Sequence, residues 1–420
     1  MVGNFTGVGK TVAVAAVGAN SAIIALIVNL FVGIALGANV VIANAIGRND
    51  QETIQKAVHT SIVMAVLGGI LVAILGELAA APLLRSLHVP DDVFSSALLY
   101  LRIYLLGMPV ILLYNFEAAI FRSVGETRIP LAALFASGIL NVLLNLFFVA
   151  VLRMTVNGVA IATVLSNTVS SMLLFRRLVT TQHSIHVEYR ALRVDRKILA
   201  EIIKIGLPAG IQSAVFAISN IVIQSAINSL GTVVMAASSA AYNIEIISYD
   251  ILTSFSQACT TFVGQNFGAG ELQRCKRTLV LCLVEGILTL SIAITTILFF
   301  GSPLLAIFNN NPAVIEIGYT RLLIVMLSHS FSLLYEVMSG YLRGFGISLV
   351  PAILTTVGVC GIRIAWIHFV FPHSQTFRTI LTAYPVSLSV TALMIFIALL
   401  YYRPSCNSHI PEEGKLEVSL

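Results

Sequence analysis

Residues 113–125 read LYNFEAAIFRSVG and residues 334–346 read LYEVMSGYLRGFG. Five residues beyond the closing glycines, Gly125 and Gly346, stand Pro130 and Pro351. The two stretches lie 221 residues apart, and two further pairs keep that distance. NAIGRNDQETIQKA (residues 44–57) matches QNFGAGELQRCKR (residues 265–277), setting Gly47 on Gly268 and Asp50 on Glu271, and APLL at Ala81 matches SPLL at Ser302. Three anchors at one spacing mark an internal duplication. The chain is therefore expected to be two homologous halves.

Each half has the composition of a membrane bundle. Hydrophobic residues make up 58% of the 420 positions, charged residues 10%, and the mean hydropathy is +0.95. An ordinary soluble domain has about 45–50% apolar and about 25% charged residues, so this chain could not clothe a soluble core of its size. Apolar runs of about 20 residues predict spanning helices. Eleven are expected, at roughly 12–45, 54–80, 97–121, 129–151, 157–175, 203–227, 233–264, 278–306, 317–342, 349–370 and 380–401. The fold class is an all-α polytopic membrane protein, with Pro109 and Pro208 as candidate kinks.

The net charge of +5 reads as loop lysines and arginines that orient helices, not as a nucleic-acid surface. The most basic connection holds Arg176, Arg177, Arg190, Arg193, Arg196 and Lys197, which the positive-inside rule places in the cytoplasm. Counting spans outward puts Arg122, Arg128, Arg274, Arg277, Arg343 and the C-terminal tail on the same side. The expected organisation is an N-terminal bundle (1–178), a basic cytoplasmic linker (179–199), a C-terminal bundle (200–402) and a polar cytoplasmic tail (403–420). The five cysteines are scattered and signal neither a disulfide framework nor a metal site.

TGVGKT at residues 6–11 imitates a phosphate-binding loop, but Asn4 stands where the first glycine belongs, and the three residues before it show none of the strand that such a loop follows. The repeat pairs Gly9 with Gly231, so the stretch is expected to be a turn before a spanning helix. The same arithmetic finds no partner in the first half for the span beginning GLPAGIQ at Gly206. A first helix of that half is expected to be missing from this chain.

Several stretches together resemble the multidrug and toxic compound extrusion (MATE) family, of bacterial type. They are YLRIYLLGMPVILLYNFEAAIFRSVGETRIPL (residues 100–131), ILNVLLNLFFV (139–149), GLPAGIQ (206–212), FVGQNFGAGELQR (262–274) and GVCGIRIAWI (358–367). The resemblance implies two six-helix bundles around a central cavity and a multi-pass protein of the plasma membrane. It also implies export of organic cations, drugs or metabolites by alternating access, in exchange for Na+ or H+. No cofactor is implied beyond that coupling ion, and a monomer is expected. Family members often carry a coupling aspartate in their first helix, the helix expected to be missing here.

An ionised group at mid-bilayer costs at least about 2.5–3.5 kcal/mol, so acids within spans are candidates for function. Glu77, Glu117 and Glu285 lie near helix ends or basic segments and are expected to snorkel to water. Glu336, seven residues inside Arg343, is too deep for that; it is expected to bind the coupling ion or a cationic substrate, or else to be a protonated acid in an interhelical hydrogen bond. Its repeat partner is Asn115. Glu245 and Asp250, with Tyr249 and Gln257, lie on polar stripes of one long span that should face protein or a water-filled cavity. Asn220 with Gln224, and Asn141, form further stripes, for which helix-to-helix bonding competes with substrate contact. His329 reads as a packing histidine, and buried Arg363 needs a carbonyl or carboxylate partner. Two rival functions are a lipid-linked precursor flippase, which a strongly basic cavity would fit, and a non-transporting membrane partner. No readable set of nucleophile, base and orienting group suggests an enzyme.

Overall fold

A computed structural model describes residues 10–86 and 89–404; the stretch 6–9 and the tail 405–420 lie outside the described residues. Among the described residues there are helices and connections and no strand. Helices α1 (Lys10–Gly47), α2 (Gln51–Ser86), α3 (Asp91–Leu106), α4 (Met108–Ser123), α5 (Arg128–Val151) and α6 (Val156–Thr180) are followed by α7 (Arg196–Asn228). Then come α8 (Thr232–Gly268), α9 (Leu272–Phe299), the short α10 (Gly301–Ala306), α11 (Pro312–Gly344), α12 (Leu349–His373) and α13 (Phe377–Tyr402). Nine of these are long and apolar enough to cross a membrane, and α3 with α4 supplies a tenth as a pair bent by 48° at Gly107. Pro109 sits just past that break, whereas α7 continues through Pro208. Helix α8, at 37 residues, is long enough to span but carries Glu245 and Asp250. Outward faces of α2 and α9 show Leu71, Leu75, Leu78, Val284, Leu288 and Ile292, which suits contact with lipid tails.

The duplication is visible in the backbone. Asn49 and Gly270, equivalent by the repeat, both adopt positive φ (55° and 76°), and so do Gly125 and Gly346 (80° and 81°). Left-handed φ suits glycine or asparagine and reverses the chain where one helix ends and the next begins. After the first of these turns Asp50 accepts from the Thr53 hydroxyl (2.5 Å) and backbone N–H (3.0 Å), starting α2 as an N-cap. Those two bonds pull the Asp50 carboxyl below its ordinary range.

The chain divides into two compact units, Met1–Gly210 and Ile211–Leu420, so the boundary falls within α7 rather than in the basic segment 179–199. The physical reason is that this segment is docked onto the first unit. Ile185 and Val187 are buried in the core that contains Val58, Ile62 and Leu178. The Gln51 and Gln55 amides donate to the Ser184 carbonyl, and the backbone N–H groups of Glu188 and Asp195 donate to His59 and Thr60. In the same unit α1 crosses the start of α7 at glycines: a Cβ on Gly33 would lie 2.2 Å from the Gly210 nitrogen.

Docking of the basic segment is testable. Arg190 and Arg193 are exposed, while Val187 beside them is buried. Val187→Ser should forfeit about 1.5 kcal/mol of burial, roughly a tenfold gain in the opened fraction. Trypsin should then cut after Arg190 and Arg193 correspondingly faster in membranes; an unchanged rate would mean that the segment is already open.

Candidate functional site

The second unit holds a buried polar system built on α8 and α11. These helices lie close because hydroxyls of one bond carbonyls of the other: Ser256 Oγ donates to the Glu336 carbonyl (2.7 Å) and Thr260 Oγ1 to that of Gly340 (3.0 Å). In a bilayer such bonds are favoured because hydrocarbon offers those groups no substitute.

Toward one end of this seam, all three nitrogens of the Arg321 guanidinium of α11 are engaged. Its Nε and Nη2 donate to the two carboxylate oxygens of Glu245 at 2.8 and 2.9 Å, and its Nη1 donates to Ser238 Oγ at 2.7 Å. Ser238, Tyr242 and Glu245 follow at i, i+4 and i+7 along one face of α8. The guanidinium also lies over the rings of Tyr242 and Tyr384, at 5.9 and 5.8 Å. This is the fork-on-fork geometry in which an arginine and a carboxylate bind most strongly.

Near the other end, Glu336 is buried and its Oε2 lies 3.8 Å from Arg343 Nη1, beyond hydrogen-bond length. Arg343 Nη2 donates to Gln212 Oε1 at 2.9 Å, and its Nε has no partner among the described residues. Arg343, expected at the basic end of its span in the loop, is buried instead. Helical side chains lean toward the N-terminus, so its long stem reaches back along α11 to Glu336.

A third arginine, Arg363 of α12, stands 4.3 Å over the Tyr384 ring, and its Nε donates to Ser387 Oγ at 3.1 Å. The carbonyl or carboxylate expected as its partner is a hydroxyl and an aromatic face instead. Tyr384 of α13 thus lies under two cations, a favourable use of its π-face in a desolvated setting.

Of the remaining sequence candidates, Tyr249 comes close enough to Glu336 to feel its charge, and the others are dispersed. Tyr249, Asp250, Gln257, Asn220 and Gln224 are exposed on their helices, and the Gln224 amide donates to Asn228 Oδ1. In the first unit the Asn115 amide turns back to the Ile111 carbonyl, and Asn141 donates to Ser166 Oγ while receiving from Asn145. Glu77 pairs with Arg102 at 3.2 Å. Glu285 is exposed on α9. Glu117 departs from the expectation that it snorkels: it is 0% exposed, its Oε2 accepts from Ser171 Oγ of α6 at 2.9 Å, and its Oε1 is buried without a partner. Its face of α4 is covered by α6, so Arg122 five residues on gives it no route to water. Sequence reasoning missed Ser238, Tyr384, Ser387 and Gln212. The available signal was that arginines within spans must find partners, and these hydroxyl, aromatic and amide groups lie in neighbouring spans. Among the described residues no group of His, Cys, Asp and Glu is placed to hold a metal ion.

Comparison with known proteins places this arrangement in context. Residues 1–147 and 208–367 match the family described as MatE. The Bacillus subtilis (strain 168) protein named "Probable multidrug resistance protein YoeA" is 25% identical over 408 residues, covering 94% of this chain and 86% of that one. A protein of Shewanella oneidensis named "FAD transporter" is 24% identical over 312 residues, covering 73% and 69%. A solved structure described as a crystal structure of MATE in the bent conformation superposes with a TM-score of 0.87 at 20% identity, over 97% of this chain and 92% of that one.

Proposed function

The chain belongs to the MatE family of membrane transporters, and from that premise we propose that it exports amphipathic small molecules, organic cations among them, in exchange for Na+ or H+. Its relatives are named both for multidrug resistance and for transport of a metabolite, so the proposed substrates include drugs and metabolites. The protein sits in the plasma membrane, with residues 179–199 and the C-terminus on the cytoplasmic side.

The observation that carries the coupling is the contrast between two buried acids. Glu245 is held on both oxygens by Arg321, and freeing it would strand a charge. The one ion pair that Glu336 makes among the described residues is the long contact with Arg343, beside neutral hydroxyl partners in Ser256 and Tyr335. Its carboxylate can therefore accept a proton or Na+ without breaking a short ion pair, and the neutralised and ionised forms differ in what they cost within the bundle. A group whose charge alternates in this way biases the packing of α8 against α11, and with it the side on which substrate is released.

The test is accumulation of a fluorescent cationic dye in exporter-deficient cells expressing the 420-residue chain. Wild type should lower dye content, and a gradient-collapsing ionophore should restore it. Glu336→Gln should abolish efflux with membrane abundance unchanged. Efflux that survives Glu336→Gln would exclude Glu336 as the coupling acid.

A further inference from the structure

We propose that Arg363 recognises an oxyanion, the carboxylate or phosphoryl group of an amphipathic substrate. This builds on the transporter reading and widens its substrates from cations to amphiphiles that carry a negative group. The first argument is charge. Among the described residues of the second unit, the buried charged side chains are Arg321, Arg343 and Arg363 against Glu245 and Glu336. His329, also buried, cannot reduce that positive excess in either protonation state. Guanidinium stays protonated in proteins, so the surplus cannot be removed by releasing a proton.

The second argument locates the surplus. Arg321 meets Glu245 and Arg343 meets Glu336, but none of the ion pairs among the described residues includes Arg363. The residue is only 6% exposed, yet Nη1 and Nη2 form no hydrogen bond among the described residues. Neither nitrogen is fully buried. Ser387 takes Nε and the Tyr384 ring covers one face, which leaves the outer edge of the fork for a bidentate oxyanion. His329 Nδ1, in the same unit, is buried without a partner. The stem is positioned in an unusual way: the single α-turn Ile362–Ala365 lies between π-helical stretches at Thr356–Gly361 and Trp366–Val370. Widened turns of this kind are frequent at functional sites.

The molecule carries its own reporter. Trp366, the sole tryptophan, lies three residues from Arg363 on the same helix and donates its indole N–H to the Thr379 carbonyl. The full chain in phosphatidylcholine liposomes is titrated with 4-octylbenzoate and with its neutral analogue 4-octylbenzamide while Trp366 emission is followed. The benzoate should act saturably, at a concentration lower by at least about tenfold than the benzamide requires. Arg363→Gln should erase that preference and Arg363→Lys should retain part of it, since the charge remains but the fork is lost. Equal potency of the two probes on wild type, or a preference that survives Arg363→Gln, would overturn the proposal.

If Arg363→Gln does not fold, the wild-type comparison decides by itself, and Ser387→Ala should weaken the benzoate preference by freeing Nε from its anchor. Liposomes doped with phosphatidate identify the source of the anion. Competition with the benzoate assigns the site to a lipid headgroup, and its absence assigns it to a soluble amphiphile. A benzoate preference without dye export would leave the anion site standing and remove the exporter reading, and the converse result would do the opposite.

Discussion

Glu245→Ala and Arg321→Ala are each expected to remove about 3–5 kcal/mol from the second unit, the cost of leaving one buried charge without its partner. The pair is bidentate, a third donor is taken up by Ser238, and both side chains are buried, so water cannot replace what is lost. The measurement is the melting temperature of fluorescently tagged protein on size exclusion, together with membrane abundance. Glu245→Leu combined with Arg321→Met should recover much of the loss, because replacing both ions by apolar groups of similar size removes the unpaired charge. A double variant that falls by the sum of the single losses would show that the two residues stabilise the bundle independently.

Gly340→Leu is expected to prevent folding of the second unit. A Cβ at Gly340 would lie 2.4 Å from the Ser256 carbonyl oxygen and 2.9 Å from both Ser256 Oγ and Thr260 Oγ1. The nearest obstacle is backbone of the facing helix, which no rotamer change can move aside. Relief requires α8 and α11 to separate, which breaks the hydroxyl-to-carbonyl bonds across their seam. Overpacking of a core costs about 1–3 kcal/mol where side chains can yield, and more is expected here. Gly138→Ala is the control: nothing stands within 4 Å of its added Cβ, and a helical Gly→Ala change is favourable by up to about 1 kcal/mol. Membrane abundance should fall to background for Gly340→Leu and stay at wild type for Gly138→Ala; normal abundance of the first would refute the close crossing.

The duplication was legible because residues with special backbone requirements recur at fixed spacing. Gly125 and Gly346 need left-handed φ, so the repeat in sequence returned as a repeat in conformation. The long apolar runs were legible for the same elementary reason, since hydrocarbon tolerates only a backbone bonded to itself. What could not be read was which face of each helix is covered. Glu117 and Arg343 both sit near helix ends, and distance along the chain suggested access to water for each. Neighbouring helices bury both, and that depends on packing between segments distant in sequence. The docked segment was hidden in a similar way: its four basic residues, Arg190, Arg193, Arg196 and Lys197, drew the reading toward a solvated loop, while nothing local marked Ile185 and Val187 as the residues that hold it down. The partners of Arg321 and Arg363 needed the order of helices in space. Glu245 lies 76 residues from Arg321, and Ser387 lies 24 from Arg363.

The docked segment also bears on how the protein is made. All of its anchors, from Gln51 and Gln55 to His59 and Thr60, belong to the part of the chain that leaves the ribosome before it. Once residue 210 has been inserted, the first bundle can fasten its own exit strand while the second is still being synthesised. Biogenesis then proceeds through a half-protein whose last loop is already latched, and a nascent chain stalled far enough beyond residue 210 for that residue to have left the ribosome should resist trypsin at Arg190 as the finished protein does.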